Sequence, residues 1–199
     1  MPRMSHTALL VMDVQRGVVA RYPVDSEMLL ASIKRATTAA RAAGVTVIYV
    51  RVAFRQGAPE MSRNNRTFST IASAGMAEAD PATQIHPAVT PHRKDMVVTK
   101  KRVSAFTGSD LEVLLRSLSV DSLVLTGIAT SGVVLSTVRQ AADLDYTLTV
   151  LSDGCADSDP EVHRVLLEKV LPRQSAVLTV GAWVQQLGGN GPVPSRQDP

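Results

Sequence analysis

The chain alternates two apolar periodicities along nearly its whole length, and that alternation restricts it to one kind of architecture. Ala8–Met12 is an unbroken apolar run that stops at Asp13, the pattern of a strand buried on both faces. Ser26–Ala43 follows with helical spacing at Leu29, Ile33, Ala36 and Ala40, and ends at Gly44, a residue suited to a left-handed cap. Val45–Val52 is again strand-like and rich in β-branched residues. The same reading gives strands at Met96–Thr99, Ser122–Leu125, Thr147–Leu151 and Ala176–Val180. It gives helices at Ser109–Leu118, Gly132–Leu144, Pro160–Val170 and Ala182–Leu187. Strands alternating with helices of this length build βαβ units with right-handed crossovers. The expected fold class is α/β: a three-layer α/β/α sandwich around a six-stranded, mostly parallel sheet.

Other properties narrow the class. With 199 residues, the chain is expected to form a single domain over 1–188, followed by a disordered tail at 189–199 that lacks an apolar face. No apolar run approaches the roughly 18–20 residues that cross a bilayer, so no membrane association is expected. Asp13 interrupts the first apolar run, which argues for a buried strand over a signal peptide. A lone cysteine, Cys155, allows no internal disulfide and suits a reducing cytoplasm. The net charge of +3 is spread along the chain. Its densest cluster, His92-Arg93-Lys94 with Lys100-Lys101-Arg102, accompanies no nucleic-acid-binding motif, so no nucleic-acid partner is expected. No Walker or G-x-G-x-x-G sequence is present, and His86 and His92 lack ligand partners at useful spacing. Neither cofactor nor metal is expected.

Parallel sheets bind ligands beyond the carboxyl ends of their strands. Asp13 ends the first strand, Lys100 ends the third, and the turn 127–133 ends the fourth. Taken singly, Asp13 reads as a turn cap and Lys100 as a surface lysine, with Lys101 beside it as a rival. The joint placement of all three at one sheet end favours a site. From Phe54 to about Pro91 no strong strand signal occurs, and so long a connection is usually functional or oligomeric.

The segment TGIATSGVVLST at Thr126–Thr137 resembles the nucleophile turn of the isochorismatase-like cysteine hydrolases, roughly G-[IV]-x-T-x-x-C-V-x-x-T. Gly127, Ile128, Thr130, Val134 and Thr137 fit, while Val133 stands at the cysteine position. Asp13 and Gln15 in VMDVQRG resemble the family's D-x-Q. VVTKKRVSAF resembles its V-V-x-K-x-x-x-x-A-F, with Lys100, Ala105 and Phe106 in register. Ile85-His86-Pro87, Asp153, and Glu161-Val162-His163 extend the likeness over essentially the whole domain.

The resemblance implies strand order 3-2-1-4-5-6, a homodimer or homotetramer, and a small-molecule substrate. It makes residues 55–79 a substrate lid and subunit contact, with the helix face Val138–Ala142 as a second contact. It implies a catalytic pair of Asp13 and Lys100, with Val133 at the nucleophile position. It also implies a cis peptide between Ile128 and Ala129, whose turn supplies oxyanion donors from the amides of Ala129 and Val133. Gln15, Phe106, Thr130 and Ser131 become the substrate-binding residues. Valine cannot attack a carbonyl. Ser131, Ser104 and Cys155 are weaker substitutes: Ser131 lies two residues early in the turn, and Cys155 lies in a D-x-C-A-D segment that the family carries apart from its nucleophile. Two readings remain open. In one, Asp13 and Lys100 hydrolyse a small molecule by general acid–base chemistry without a thiol. In the other, the protein is inactive and binds a small molecule or a protein.

Overall fold

The computed structural model describes residues 6–22, 26–69 and 76–188. The expected tail at 189–199 and part of the expected lid lie outside these residues.

Six strands form one parallel sheet: β1 (Thr7–Met12), β2 (Thr46–Val52), β3 (Met96–Lys100), β4 (Ser122–Ile128), β5 (Thr147–Ala156) and β6 (Ala176–Leu178). Their order is β3-β2-β1-β4-β5-β6, as the resemblance implies. The chain runs outward from β1 to β3, then returns to β4 on the other side of β1. That reversal opens a crevice at the carboxyl ends of β1 and β4.

Side chains of β1 show why the sheet needs cover on both faces. Ala8, Leu10 and Met12 face a core completed by Leu111 and Leu115 of α4 (Leu111–Ser117), Val138 and Ala141 of α5 (Leu135–Asp143), and Leu166. Leu9 and Val11 face the opposite core, made with Leu29, Ile33, Ala36 and Ala40 of α2 (Ser26–Ala42) and with Val180 and Trp183 of α7 (Val180–Gly188). All five residues Ala8–Met12 have no exposed surface. Burying one such aliphatic side chain is worth about 1.5–3 kcal/mol.

Several boundaries move. The segment expected as one helix from Gly132 splits: Thr130–Val134 forms a wider turn in which Gly132 is non-helical (φ −96°, ψ −106°), and regular helix begins at Leu135. The helix expected from Pro160 stays regular only in α6 (Pro160–Val165), then widens through Leu166–Val170. β4 and β5 run past their expected ends to Ile128 and Ala156, so Cys155 lies in a strand. Strand β6 stops at Leu178, and Val180 opens α7. Val138, expected on an exposed contact face, is fully buried, as is Ala141. That face is spent on the core and leaves only Arg139 exposed among its neighbours.

The long connection is anchored at several points. A short helix, α1 (Arg16–Val19), packs so closely on Ala82 that a Cβ on Gly17 would lie 2.9 Å from the Ala82 Cβ. Phe54 and Phe68 meet edge-to-face at 5.5 Å, Phe68 belonging to α3 (Arg66–Ser69). Isolated bridges join Gln15 to Ile85 and Phe54 to Ala77.

Candidate active site

Asp13 and Lys100 meet across the end of β2. Lys100 ends β3, Asp13 follows β1, and the lysine side chain spans the strand between them. Its Nζ lies 2.7 Å from Asp13 Oδ2 and donates to the Val103 carbonyl at 2.7 Å. Lys100 is 1% exposed and Asp13 7%. The aspartate backbone sits in the left-handed region (φ 56°), and its amide donates to the Val50 carbonyl at 2.8 Å. Asp13 Oδ1 is buried without a hydrogen-bond partner. Burial pushes the Asp13 carboxyl above the usual carboxylate range, and the ammonium and hydrogen bond of Lys100 only partly oppose this. The pair therefore combines a carboxyl able to hold a proton with a fixed cation.

The turn after β4 lies beside this pair. Gly127 is held at φ 144°, and any Cβ there would collide with the Met12 carbonyl. The Ile128–Ala129 peptide is cis. The Ala129 carbonyl accepts from the amides of Gly132 (3.1 Å) and Val134 (3.2 Å). Two contacts then fasten the turn to the connection after β5. Thr130, fully buried, places Oγ1 2.8 Å from His163 Nδ1 of α6. The Ser131 amide donates to Asp157 Oδ2 at 2.6 Å. Burial raises Asp157, but hydrogen bonds from the Ser131 side chain and amide and from the Asp159 and Ser158 amides leave it below its ordinary range. Burial lowers His163, with Asp157 opposing.

No side chain of this turn is set up as a nucleophile. Val133 is 2% exposed and packs in the core shared with α4 and α5. Cys155 is buried, and desolvation pushes its thiol up to about 12. Ser104 donates to Gln140 Oε1 at 2.7 Å. Ser131 is exposed, with its amide tied to Asp157.

Two of the expected substrate-binding residues have other work. Gln15 is 1% exposed; its Nε2 donates to the carbonyls of Val52 (2.9 Å) and Thr83 (2.7 Å), and its Oε1 accepts from the Val52 amide (2.9 Å). With these polar atoms committed, it clamps the end of β2 to the 81–83 turn. Phe106 is 6% exposed and packs against Tyr146, which precedes β5 at the amino end of the sheet. Thr130 is enclosed, so among the four only Ser131 is open to solvent.

Tyr22 and Asp157 belong to this neighbourhood and escaped the sequence reading. Tyr22 is half-buried; burial raises its phenol, the charges of Asp157 and Asp13 raise it further, and Arg21 opposes them. Nothing in the local pattern around Tyr22 marks it, because the burial and the charges that act on it come from segments distant in the chain. Asp157 carries a sign in the sequence as the last residue of the D-x-C-A-D segment, with no role attached to it there.

The basic cluster divides up in a similar way. Lys100 is internal, while Lys101 donates to the Ala53 carbonyl and to Glu78 Oε1, each at 2.7 Å. Arg102 donates to the carbonyls of Lys101 and Glu60. These cations hold the long connection in place. Among the described residues, no three His, Cys, Asp or Glu side chains converge as metal ligands.

The isochorismatase domain model matches residues 7–182. The chain belongs to the isochorismatase family. An isochorismatase family protein of Bacillus subtilis (strain 168), YwoC, is 31% identical over 182 residues, covering 91% of this chain and 94% of the relative. The ureidoacrylate amidohydrolase RutB of Serratia proteamaculans (strain 568) is 32% identical over 177 residues, covering 78% and 71%. Among solved structures, an isochorismatase family protein from Burkholderia thailandensis superposes with a TM-score of 0.83 at 28% identity, covering 92% and 96%. A cysteine hydrolase from Pseudomonas syringae pv. phaseolicola 1448A gives 0.83 at 25% identity and 92% of each chain. The isochorismatase fold thus accounts for the sheet order, the crevice at β1 and β4, and the turn that borders it. No described helix is long and apolar enough to cross a membrane.

Proposed function

We propose that this isochorismatase-family protein hydrolyses a small molecule by non-covalent acid–base chemistry at Asp13 and Lys100, with Val133 in place of the family's attacking cysteine. The observation that carries the reading is the state of Asp13: a carboxyl raised by burial, with one oxygen on Lys100 and the other buried and unpartnered. Such a group can protonate a leaving heteroatom as the bond to carbon breaks. Water supplies hydroxide to the carbon, and its remaining proton returns to Asp13. Lys100 stabilises the carboxylate that exists between these transfers. The amides of Ala129 and Val133 would face oxyanion charge if the substrate is a carbonyl compound.

The named activity of the RutB relatives makes ureido acids one substrate class to test; vinyl ethers, which need only protonation and water, are another. Turnover should be screened with amides, ureido acids and vinyl ethers in wild type, Asp13→Asn and Lys100→Ala. Turnover lost in both variants supports the reading, and turnover retained in both refutes it.

A second reading, a binding module without turnover, is favoured by one observation: Val133 is embedded in the core and no nucleophile replaces it. Saturable ligand binding without product would select it. Either reading carries a homodimer or homotetramer in the cytoplasm. With Val138 buried, the 54–91 segment is the remaining candidate contact, and sedimentation of wild type against an Arg63→Glu/Arg66→Glu variant, at two exposed positions of that segment, tests it.

A further inference from the structure

Asp13 is only one of two groups that hold the Lys100 ammonium. The other is the Val103 carbonyl, also 2.7 Å from Nζ. Hydrogen bonds to a charged group are the strong ones, and a buried ammonium follows its acceptors. Where the Val103 oxygen stands therefore helps to decide where the cation stands.

That oxygen belongs to a loop with little structure of its own. Residues 101–107 form neither helix nor strand. Their internal backbone bonds are long: the Lys101 amide lies 3.3 Å from the Thr107 carbonyl, and the Thr107 amide 3.4 Å from the Ser104 carbonyl. Shorter bonds reach the loop from α5. Thr137 Oγ1, fully buried, accepts from the Ala105 amide at 3.0 Å. Gln140 Oε1 accepts from the hydroxyls of Ser104 at 2.7 Å and Thr107 at 3.2 Å. The two residues are three apart, so they share one face of the helix. Ser104 Oγ also accepts from the Phe106 amide at 3.3 Å, so the hydroxyl held by Gln140 shapes the loop as well. On its other side Val103 packs against Val52, Phe54 and Phe68. The helix that makes this bracket starts at Leu135, directly after the wide turn Thr130–Val134. One helix thus carries both the turn beside the pair and the support of its lysine.

We propose that Thr137 and Gln140 are positioning residues of the site: by bracketing Ser104–Thr107 from α5, they keep the Val103 carbonyl on Lys100 Nζ and the ammonium on Asp13. The importance of this for hydrolysis rests on the acid–base reading, while the effect on the pair exists without turnover. The bracket itself is uncharged, so removing it changes position and not local charge. The charged groups around the pair are assigned elsewhere. Lys101 reaches the Ala53 carbonyl and Glu78, Arg102 reaches the carbonyls of Lys101 and Glu60, and Arg139 of α5 reaches Gln174. Tyr22, after α1, lies in the field of Asp13, and Lys100 is the cation that acts on that carboxyl. If the loop slackens, Lys100 moves off Asp13, and burial of the carboxyl goes less opposed.

The test reads Asp13 directly, by carbon-13 NMR titration of protein labelled at its aspartate carboxyls, with Asp13→Asn assigning the signal. Thr137→Val keeps the shape and removes the acceptor, Thr137→Ser keeps the acceptor, and Gln140→Leu removes the bracket at a half-buried position. Ile33→Val, in the core on the opposite sheet face, serves as a variant that loses stability alone. Thr137→Val and Gln140→Leu are expected to raise the Asp13 midpoint by about half a pH unit or more, as a weakened cation contact does. Thr137→Ser and Ile33→Val should leave it at the wild-type value, although Ile33→Val lowers Tm. The same pH response of Asp13 in wild type, Thr137→Val and Gln140→Leu overturns the proposal. An equal shift in Thr137→Ser or Ile33→Val also overturns it, by tracing the effect to packing or to stability. Should Thr137→Val not fold, Gln140→Leu decides. The two readings fail separately. Shifted midpoints without turnover of any substrate refute hydrolysis and keep the bracket; unshifted midpoints with turnover lost in Asp13→Asn and Lys100→Ala do the reverse.

Discussion

Lys100 Nζ lies 2.7 Å from one oxygen of Asp13, and the other oxygen of that carboxylate is buried with no partner. A buried pair completed on one side only gives little net stability, yet removing one partner leaves an uncompensated charge. The arrangement is thus expensive to break and well suited to a role beyond folding.

Breaking the pair should show that asymmetry. Lys100→Met is expected to destabilise by about 3–5 kcal/mol, because Asp13 would remain buried and alone. The double variant Asp13→Asn/Lys100→Met should cost clearly less than the sum of the two single changes. Urea denaturation of the four proteins measures the coupling.

The raised Asp13 carboxyl predicts a pH dependence of definite sign. Its folded value lies above its unfolded one, so the native state holds the proton more tightly. The stability it contributes is complete below the unfolded pKa and is lost as pH rises through the folded one. Activity that needs the Asp13 proton should fall along the same basic limb. Asp13→Asn should remove this limb from the stability profile measured by denaturant midpoints.

His163 predicts the opposite sign. Burial depresses it, so its contribution is present above the unfolded value and is lost as pH falls through the folded one. Protonation makes Nδ1 a donor whichever tautomer preceded it, so Thr130 Oγ1 can then only accept from it. His163→Ala leaves a fully buried hydroxyl without its partner, at a cost of about 1–3 kcal/mol. Thermal unfolding at pH 8 and pH 5.5 should separate wild type from the variant more at the higher pH.

Gly127→Ala should fail to fold or lose several kcal/mol, since its Cβ would overlap the Met12 carbonyl at φ 144°. Soluble yield and circular dichroism check this.

Most of the architecture was legible in the chain because burial on both sheet faces writes itself as unbroken apolar runs, as at Ala8–Met12. Asp13 and Lys100 were legible because each ends a strand that those runs located. Gln15 and Phe106, expected at the substrate, are held in the fold by contacts that the motif does not report. A motif reports that a residue type is required, whereas Gln15 meets the requirement by clamping Val52 and Thr83 and Phe106 by packing on Tyr146. The wide turn at Thr130–Val134 was also hidden, since apolar periodicity does not report a single non-helical residue such as Gly132 ahead of a regular helix.

The sequence by itself determined the sheet, its helices, the family, and the absence of a thiol at position 133. Those follow from local periodicity and residue identity. Only the tertiary structure decided that Lys100 reaches across β2 to Asp13, that one carboxylate oxygen is left without a partner, and that Thr130 is tied to His163. Their partners come from segments far apart in the chain, and burial, which sets the protonation of Asp13, exists only once those segments have packed.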